Sequence, residues 1–417
     1  MTMTVPAQTN GLADRSGGKA VRLHYLDWLQ VLAILGVFLF HAVHPFDDLT
    51  DWHIKNAETT FVINFYVGFF NLWGMPFFFL MAGTTSWFSL RRRTPGRYAS
   101  ERFTRLLIPF IIGALVLTPI QAYYELIHKG WWKGGSIVEF ILSTEARTYF
   151  YTEYNSITFS PRIFATLGYH LWFVGFLFCF ALLALPVFLW LRQDSGKRFI
   201  ASLARLAKWR GGLLVFAIPP ILVRFLLQPF FPEYTGWADF FFLLLFFISG
   251  YILIADERFM RAIRRDWLLH LILGIACTLF FFSVAVGTPV WNWLLSPGTP
   301  GFYLAHALWG INSWCWTMVM FYVGMRFLDY TNKWLQYGRE VSFAFFFFHQ
   351  PVIIFIAFYA VQWETGITLK LLVVVLGALL VSLGLVELVK RIGVLRGLFG
   401  LRARSRKTPS AEVGLSE

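Results

Sequence analysis

One polar face runs along the first apolar segment of the sequence. Asp27, Gln30, Ile34, Val37 and His41 are spaced by three or four residues, so on a helix their side chains share one side. Gln30 and His41 are eleven positions apart, which is about three turns and about 16 Å, so this face can line a polar passage. An imidazole acts as an acid or a base near neutral pH. We therefore predict that His41 and Asp27 are catalytic residues.

More histidines lie close to this face in the topology that is described below. His44 continues the face, His53, His170 and His306 lie near the outer ends of apolar segments, and His349 lies near the middle of the ninth segment. Several imidazoles that converge on one chamber would suit proton transfer to or from a hydroxyl group. The alternative is that such histidines only form hydrogen bonds between neighbouring helices, which we favour for His53 and His306.

Three arginines are candidates for binding anions. Arg102 and Arg105 are three residues apart at the start of the third apolar segment, so both guanidinium groups can face one notch at the headgroup level. A bidentate guanidinium suits the phosphates of a nucleotide-bearing donor, although arginines are also common on the inner side of any membrane protein. Arg224, inside the fifth segment, either meets an anionic substrate group or pairs with Asp239 or Glu233.

The elements that position these residues are membrane helices. The chain has 417 residues, of which 57% are hydrophobic and 14% are charged, whereas a soluble domain carries about 25% charged residues. Unbroken apolar blocks of about 20 residues also exclude the alternating pattern of a β-barrel. We predict an all-α polytopic membrane protein, a bundle of about ten transmembrane helices at residues 26–44, 60–90, 105–124, 164–191, 212–231, 237–255, 267–286, 302–327, 341–362 and 369–389.

Lysine and arginine are distributed unequally between the connections of these helices. Of the 36 such residues, 29 fall on the side of both chain ends, 6 fall on the opposite side, and Arg224 lies within a segment. Because cytoplasmic loops hold the excess of Lys and Arg, we predict that both termini are cytoplasmic. The net charge of +13 is thereby explained by contact with the lipid bilayer, and no nucleic acid partner is predicted.

Three regions are predicted to lie outside the bilayer. Residues 1–20 and 401–417 are polar or basic, and we predict disordered cytoplasmic ends that flank a transmembrane domain over residues 21–400. The outer loop at about residues 125–163 carries five Trp and Tyr residues, which form either a lid over the substrate or a belt at the headgroups: Trp131, Trp132, Tyr149, Tyr151 and Tyr154. No metal site is predicted, because the three cysteines lie inside apolar segments without ligand spacing.

Several segments taken together are similar to a known family. The stretch from Tyr25 to His41 resembles the opening helix of the acyltransferase-3 family of integral membrane acyltransferases, in which Asp-x-Leu-Arg is followed, ten residues on, by an essential histidine. Similar motifs follow at residues 75–83 (MPFFFLMAG), 102–109 (RFTRLLIP), 170–173 (HLWF) and 342–351, so the resemblance covers nearly the whole chain. His44 and the pair Trp52-His53 most resemble the members that acylate, for example succinylate, periplasmic glucans.

The resemblance implies a multi-pass O-acyltransferase of the bacterial inner membrane. It implies transfer of an acyl group, acetyl or succinyl, from cytoplasmic acyl-CoA to a hydroxyl of an extracytoplasmic glycan, with acyl-CoA as a co-substrate and no permanently bound cofactor. His41 corresponds to the essential histidine and would act as the general base, or less readily as a nucleophile. His170, His349 or Gln350 would orient His41 or stabilise the oxyanion.

The resemblance also implies two groups of binding residues. The donor would be held by Arg102, Arg105, Arg22 and Gln30, and the acceptor by His44, Trp52 and His53, to which the position of Arg224 inside a segment adds this arginine. Gln30 departs from the family pattern, because the family has an arginine at this position and an amide cannot supply positive charge. Arg22 or the pair of Arg102 and Arg105 would then have to supply it.

Two other functions are compatible with a polar face inside a membrane bundle. A transporter or exporter of a small molecule or glycan would use the same face and Arg224 as a substrate path. The sequence has neither internal repeats nor paired helices broken by Gly or Pro, which argues against that reading. A protein that keeps the family scaffold without catalysis is the other alternative, and Gln30 favours it.

Overall fold

The computed structural model describes residues 23–49, 51–146, 148–149, 159–285 and 289–401. Within these ranges the chain forms helices, turns and irregular connections, with no strand. Arg22, Tyr151, Tyr154 and nearly all of the two predicted disordered ends lie outside the described residues. Ten helices correspond to the ten predicted spans: α1 His24–Val43, α2 Phe61–Arg92, α3 Pro95–His128, α4 Ile163–Leu183, α5 Gly212–Leu227, α6 Trp237–Ala255, α7 Glu257–Leu279, α8 Pro300–Phe327, α9 Lys333–Ala360 and α10 Ile367–Arg391.

Shorter elements interrupt or connect these helices. α3 contains a π-helical turn, Phe103–Leu107, and α4 contains a 3-10 turn, Tyr169–Leu171. Further short helices are His44–Phe46, Ile137–Leu142, Leu185–Leu191, Asp194–Leu206, Pro289–Leu295 and Gly393–Leu398. α3 continues to His128, so the outer loop begins later than the sequence predicted.

Eight of the described helices are long and apolar enough to cross a membrane, which confirms the all-α polytopic architecture. α5 is an apolar helix of fewer than 18 residues, and α8 is long but carries buried polar residues such as His306, Asn312 and Thr317. The number of ten spans and the cytoplasmic position of both termini therefore stay predictions.

α1 lies inside the bundle, packed against α2, α8, α9 and α10. It runs in the same direction as α9, because Asp27 lies beside Arg339 at one end and His41 lies beside His349 at the other. The two ends of the bundle therefore differ in chemistry. We call the end at Asp27 and Arg339 the arginine-rich end, and the end at His41 the histidine end.

α2 and α6 approach so closely that backbone meets backbone. A Cβ atom added at Gly83 would lie 1.9 Å from the carbonyl oxygen of Phe247, and one added at Gly250 would lie 1.9 Å from that of Leu80. Backbone atoms inside a helix cannot move aside as the end of a flexible side chain can. The two glycines therefore set the distance between α6 and α2, a helix that also lines the site described below.

Replacing Gly83 with Ala is expected to destabilise the protein by about 1–3 kcal/mol, because the added methyl group forces α2 away from α6. Gly384→Ala in α10 is the matched control, since a Cβ atom added there meets no atom within 4 Å. The thermal unfolding of both purified variants in detergent, followed by size-exclusion chromatography, measures the difference. Equal unfolding midpoints for the two variants would contradict this packing argument.

Candidate active site

Four histidines meet at the histidine end of the bundle. The ring centre of His41 lies 5.3 Å from that of His349 and 6.4 Å from that of His44. The ring centre of His170 lies 5.1 Å from that of His349. These residues come from α1, the 3-10 turn that follows it, α4 and α9, so the fold brings together imidazoles that are far apart in the sequence.

The loop after α1 adds Trp52 and His53 to this group. The indole of Trp52 stacks on His44, with ring centres 5.5 Å apart and an angle of 11° between the planes, and its centre lies 6.4 Å from that of His41. His53 stacks on Tyr169 at 4.7 Å. All the residues that were predicted for the acceptor, except Arg224, thus lie around His41.

His44 belongs to a buried imidazole–carboxylate pair that the sequence did not reveal. Nδ1 of His44 donates a hydrogen bond to Oδ2 of Asp47 at 2.5 Å, and Nζ of Lys55 lies 3.2 Å from the same oxygen. Burial raises the pKa of Asp47, but the hydrogen bond from His44 and the charge of Lys55 outweigh it and hold the pKa below its usual value. The carboxylate therefore stays ionised and fixes the tautomer of His44, with Nε2 as the acceptor nitrogen.

A second buried carboxylate, Glu125 near the end of α3, holds His53. Its Oε2 accepts hydrogen bonds from Nδ1 of His53 at 2.6 Å and from the hydroxyl of Tyr169 at 3.0 Å. Its Oε1 accepts a hydrogen bond from Nζ of Lys129 at 2.9 Å. Three donors thus offset the cost of burying this carboxylate. The sequence analysis placed Glu125 at the start of a loop and gave it no role.

Two amides extend this network between α9 and α3. Nε2 of Gln350 donates to Nε2 of His53 at 3.2 Å and to Oε1 of Gln121 at 3.1 Å. His53 therefore donates a hydrogen bond from Nδ1 to Glu125 and accepts one at Nε2 from Gln350, so both of its ring nitrogens have partners. This arrangement makes His53 a positioning residue for the site.

The backbone of α9 fixes the tautomers of two histidines. Nε2 of His170 donates to the carbonyl oxygen of Phe347 at 3.2 Å. Nδ1 of His349 donates to the carbonyl oxygen of Phe346 at 2.7 Å. The remaining nitrogens, Nδ1 of His170 and Nε2 of His349, are buried without a hydrogen-bond partner among the described residues, and so is Nδ1 of His41. Buried nitrogens without partners are unusual in folded proteins and are typical of a site that takes a ligand or water.

His41 lines a cavity of about 50 Å³ between α1, α2, α4 and α9. This space holds a few water molecules or the reacting atoms of a substrate. Asn71, which the sequence analysis did not single out, adds an amide to the imidazoles. The lining consists of Val37, Phe40, His41, Phe70, Asn71, Met75, Phe78, His170, Trp172, Phe173, Tyr234 and Phe346. Of the predicted polar face of α1, Val37 and His41 line the cavity.

Asp27 and Gln30 lie at the other end of α1. Asp27 is about 21 Å along the helix from His41, and its Oδ2 lies 3.6 Å from Nε of Arg339. Gln30 is half-buried, one turn further along α1. Asp27 therefore does not touch the imidazoles. Arg339, which the sequence analysis did not single out, pairs with Asp27 one turn before Gln30.

Arg102 and Arg105 lie in α3 at the arginine-rich end, in different surroundings. The guanidinium of Arg102 is 4.7 Å from the ring centre of Tyr98 and is half-buried, whereas Arg105 is exposed and lies in the π-helical turn. A π-helical turn holds more residues than an α-helical turn, so residues three apart diverge more around the axis. Binding of one donor by both arginines stays a prediction.

Arg224 is not among the residues that line the cavity beside His41. Its side chain is buried, and its Nη2 lies 2.6 Å from Oδ1 of Asp239. The guanidinium also donates to Gln228 and lies 4.4 Å from the ring centre of Phe242. Of the alternatives that the sequence left open, the structure shows pairing with Asp239, which ties α5 to α6.

A bundle of apolar helices with an imidazole-lined cavity is the architecture of a polytopic membrane enzyme. A sequence profile described as an acyltransferase domain, that of the acyltransferase-3 family, matches residues 23–387. The chain belongs to this family and is a membrane O-acyltransferase. Its apolar helices and its family fit a multi-pass protein of the bacterial inner membrane.

Curated relatives match the chain over almost its full length. Glucans biosynthesis protein C of Salmonella schwarzengrund strain CVM19633 is 23% identical over 424 residues, which cover 95% of this chain and 99% of the relative. The proteins of the same name from Salmonella heidelberg strain SL476 and Salmonella typhimurium strain LT2 are 22% identical over the same lengths. The chain is thus related to glucan biosynthesis proteins, as the resemblance of His44 and Trp52-His53 predicted. No solved structure matches the chain.

Proposed function

We propose that this acyltransferase moves an acetyl or succinyl group from acyl-CoA, bound at the arginine-rich end, to a hydroxyl of an extracytoplasmic glycan at the histidine end. The observation that carries this proposal is the cavity beside His41, whose Nδ1 is buried without a partner among the described residues. The names of the relatives support a glucan as the acceptor. The excess of Lys and Arg supports the arginine-rich end as the cytoplasmic side, where acyl-CoA is present.

His41 acts as the general base in this reaction. Its imidazole removes the proton of the acceptor hydroxyl while the hydroxyl oxygen attacks the carbonyl carbon of the thioester. The tetrahedral intermediate then collapses, the C–S bond breaks, and the proton passes from His41 to the sulfur of coenzyme A. The products are an oxygen ester and a free thiol, so the proton balance closes within the site.

The tautomers of His170 and His349 leave Asn71 as the hydrogen-bond donor of this group of three side chains. The N–H groups of His170 and His349 point at carbonyl oxygens of α9, so these rings offer only lone pairs to the cavity. They suit the orientation of protonated His41, which they stabilise as acceptors. Asn71 lines the same cavity and carries amide N–H donors. Asn71 is therefore assigned to the oxyanion of the tetrahedral intermediate.

The donor approaches from the arginine-rich end. Arg102 and Arg105 supply guanidinium groups for its phosphates and the positive charge that Gln30 lacks, and Arg339 lies at the same end beside Asp27. None of these arginines is among the residues that line the cavity. The acyl arm must therefore part packed side chains such as Met75 and Phe78 on its way to His41, and donor binding is coupled to a movement of these side chains.

Transfer is tested with the purified protein in liposomes that enclose a neutral glucan. Acetyl-CoA or succinyl-CoA with a radioactive acyl group is added outside, to the protein molecules whose arginine-rich end faces outward. We expect label on the glucan that is released by mild alkali, as an oxygen ester is. Liposomes without protein are the control. Uptake or release of unmodified glucan without any covalent label would contradict the proposal and favour transport.

A further inference from the structure

A second cavity, which the proposed mechanism does not use, opens at the histidine end. It has a volume of about 320 Å³, within the range of about 300–1,000 Å³ that is typical of ligand pockets. It lies between the start of α4 and the turn that precedes α6. We call it the outer pocket, and its charged, aromatic and strained lining residues are Tyr149, Arg162, Tyr169, Glu233, Tyr234 and Thr235.

The outer pocket contains a cation and an anion that do not neutralise each other. Arg162 and Glu233 both line it, yet neither forms an ion pair with any residue that the structure describes. An anionic ligand such as phosphate would be repelled by Glu233, and a cationic ligand would be repelled by Arg162. A neutral ligand that both donates and accepts hydrogen bonds satisfies the two groups together, and adjacent hydroxyls of a sugar ring have this property.

Aromatic faces supply the other half of a sugar site. Tyr149, Tyr169 and Tyr234 all line the pocket, and the hydroxyls of Tyr149 and Tyr169 are held 3.1 Å apart. Tyr234 lines both cavities and is 65% exposed, and its ring centre lies 5.7 Å from that of buried Trp172. Tyrosine rings pack against the apolar faces of a ligand while their hydroxyls form hydrogen bonds.

The backbone around the pocket is strained. Tyr169 and Thr235 have φ angles of +49° and +60°, and Phe159, whose carbonyl oxygen accepts a hydrogen bond from Trp237, has a φ of +48°. These are the non-glycine residues with positive φ in the described part of the chain. A β-branched residue such as Thr235 rarely adopts this conformation, and such strain concentrates at functional sites.

The outer pocket adjoins the reaction cavity. Tyr234 lines both spaces, and Tyr169 connects the pocket to the imidazoles through its hydrogen bond to Glu125 and its stacking on His53. A ligand in the outer pocket thus lies on the histidine-end side of His41, with Tyr234 between the two.

We infer that the outer pocket is the acceptor subsite, and that it binds a neutral pyranose ring of the glycan between Arg162, Glu233 and the three tyrosines. This inference rests on the proposed function and adds to it the place and chemistry of acceptor recognition. The sugar that receives the acyl group then passes Tyr234 to reach His41, while its neighbour along the glycan stays in the outer pocket.

The test is direct binding of a short, neutral, linear gluco-oligosaccharide to the full-length protein in detergent, by calorimetry. Arg162→Ala and Tyr234→Ala are expected to weaken binding by about tenfold or more, as the loss of a charge-assisted hydrogen bond or of an aromatic face does. Lys133→Ala, which removes an exposed positive charge from the loop after α3, is the matched control and should bind normally. Competition by inorganic phosphate would overturn the assignment to a neutral sugar.

Acyl-transfer kinetics separate this inference from the proposed function. Both pocket variants are expected to raise KM for the glucan about tenfold, and Arg162→Ala, which lies outside the reaction cavity, is expected to leave kcat and the KM for acyl-CoA nearly unchanged. If the wild type transfers acyl groups and both variants keep normal glucan binding and KM, the pocket assignment is wrong while the proposed function stands. If the wild type binds the oligosaccharide through Arg162 but transfers no acyl group, the pocket assignment stands and the proposed function fails.

Discussion

The His41→Ala variant is expected to lose acyl transfer by about 10²–10⁴-fold, the contribution that is typical of a general base. His41 lines the reaction cavity, and its ring donates to no backbone carbonyl of the described residues, whereas the rings of His170 and His349 do. An alanine at position 41 removes the imidazole that would take the proton of the acceptor hydroxyl. His170 and His349 are fixed by hydrogen bonds to the backbone and do not replace it. The measurement is kcat/KM for labelled acyl-CoA and glucan in liposomes.

His306→Ala is the control for this variant. His306 is also a buried histidine with an unpartnered Nδ1 among the described residues, but its ring packs against Phe302 at 4.3 Å in α8, away from the cluster. It should keep most of the transfer rate. Thermal unfolding of both variants separates lost chemistry from lost folding. Transfer by folded His41→Ala at the wild-type rate would exclude His41 as the base.

The helices and the convergence of the histidines were predictable from the sequence, because both depend on local patterns. The lengths of the apolar segments locate the membrane spans. The spacing of Gln30 and His41 places them on one helix face, independently of the helices that pack around it. His170 lies at the start of α4 and His349 within α9. Once the spans are placed, these residues fall near the level of His41, and proximity in a narrow bundle follows.

The partners of the histidines could not be predicted in the same way. Glu125 reaches His53 over a separation of 72 residues, and its burial depends on the packing of α3 and on the fold of the loop after α1. Asp47 is close to His44 in sequence, but only the turn at Pro45 brings its carboxylate to Nδ1. Arg339 lies beside Asp27 because α1 and α9 run in parallel, which local spacing does not encode.

Replacing Glu125 with Gln is expected to lower stability by about 1–3 kcal/mol and to slow acyl transfer, because either orientation of the amide places a donor against a donor. With its NH₂ towards His53, the amide opposes the N–H of His53 and the hydroxyl of Tyr169. With its NH₂ towards Lys129, it opposes an ammonium group. In the first of these orientations His53 must change tautomer, and its proton on Nε2 would then oppose the amide of Gln350.

The loss of stability and of transfer rate should therefore reflect displacement of His53 and Gln350, which the hydrogen-bond network of Glu125 positions. Glu364→Gln, at an exposed carboxylate without an ion pair among the described residues, is the matched control and should leave stability and transfer within error of the wild type. Unfolding midpoints and single-turnover rates are measured for both variants. Since Glu125 binds no substrate directly, a fall in rate together with a lower midpoint would support its positioning role. A Glu125→Gln variant as stable and as fast as Glu364→Gln would show that the network does not position the imidazoles.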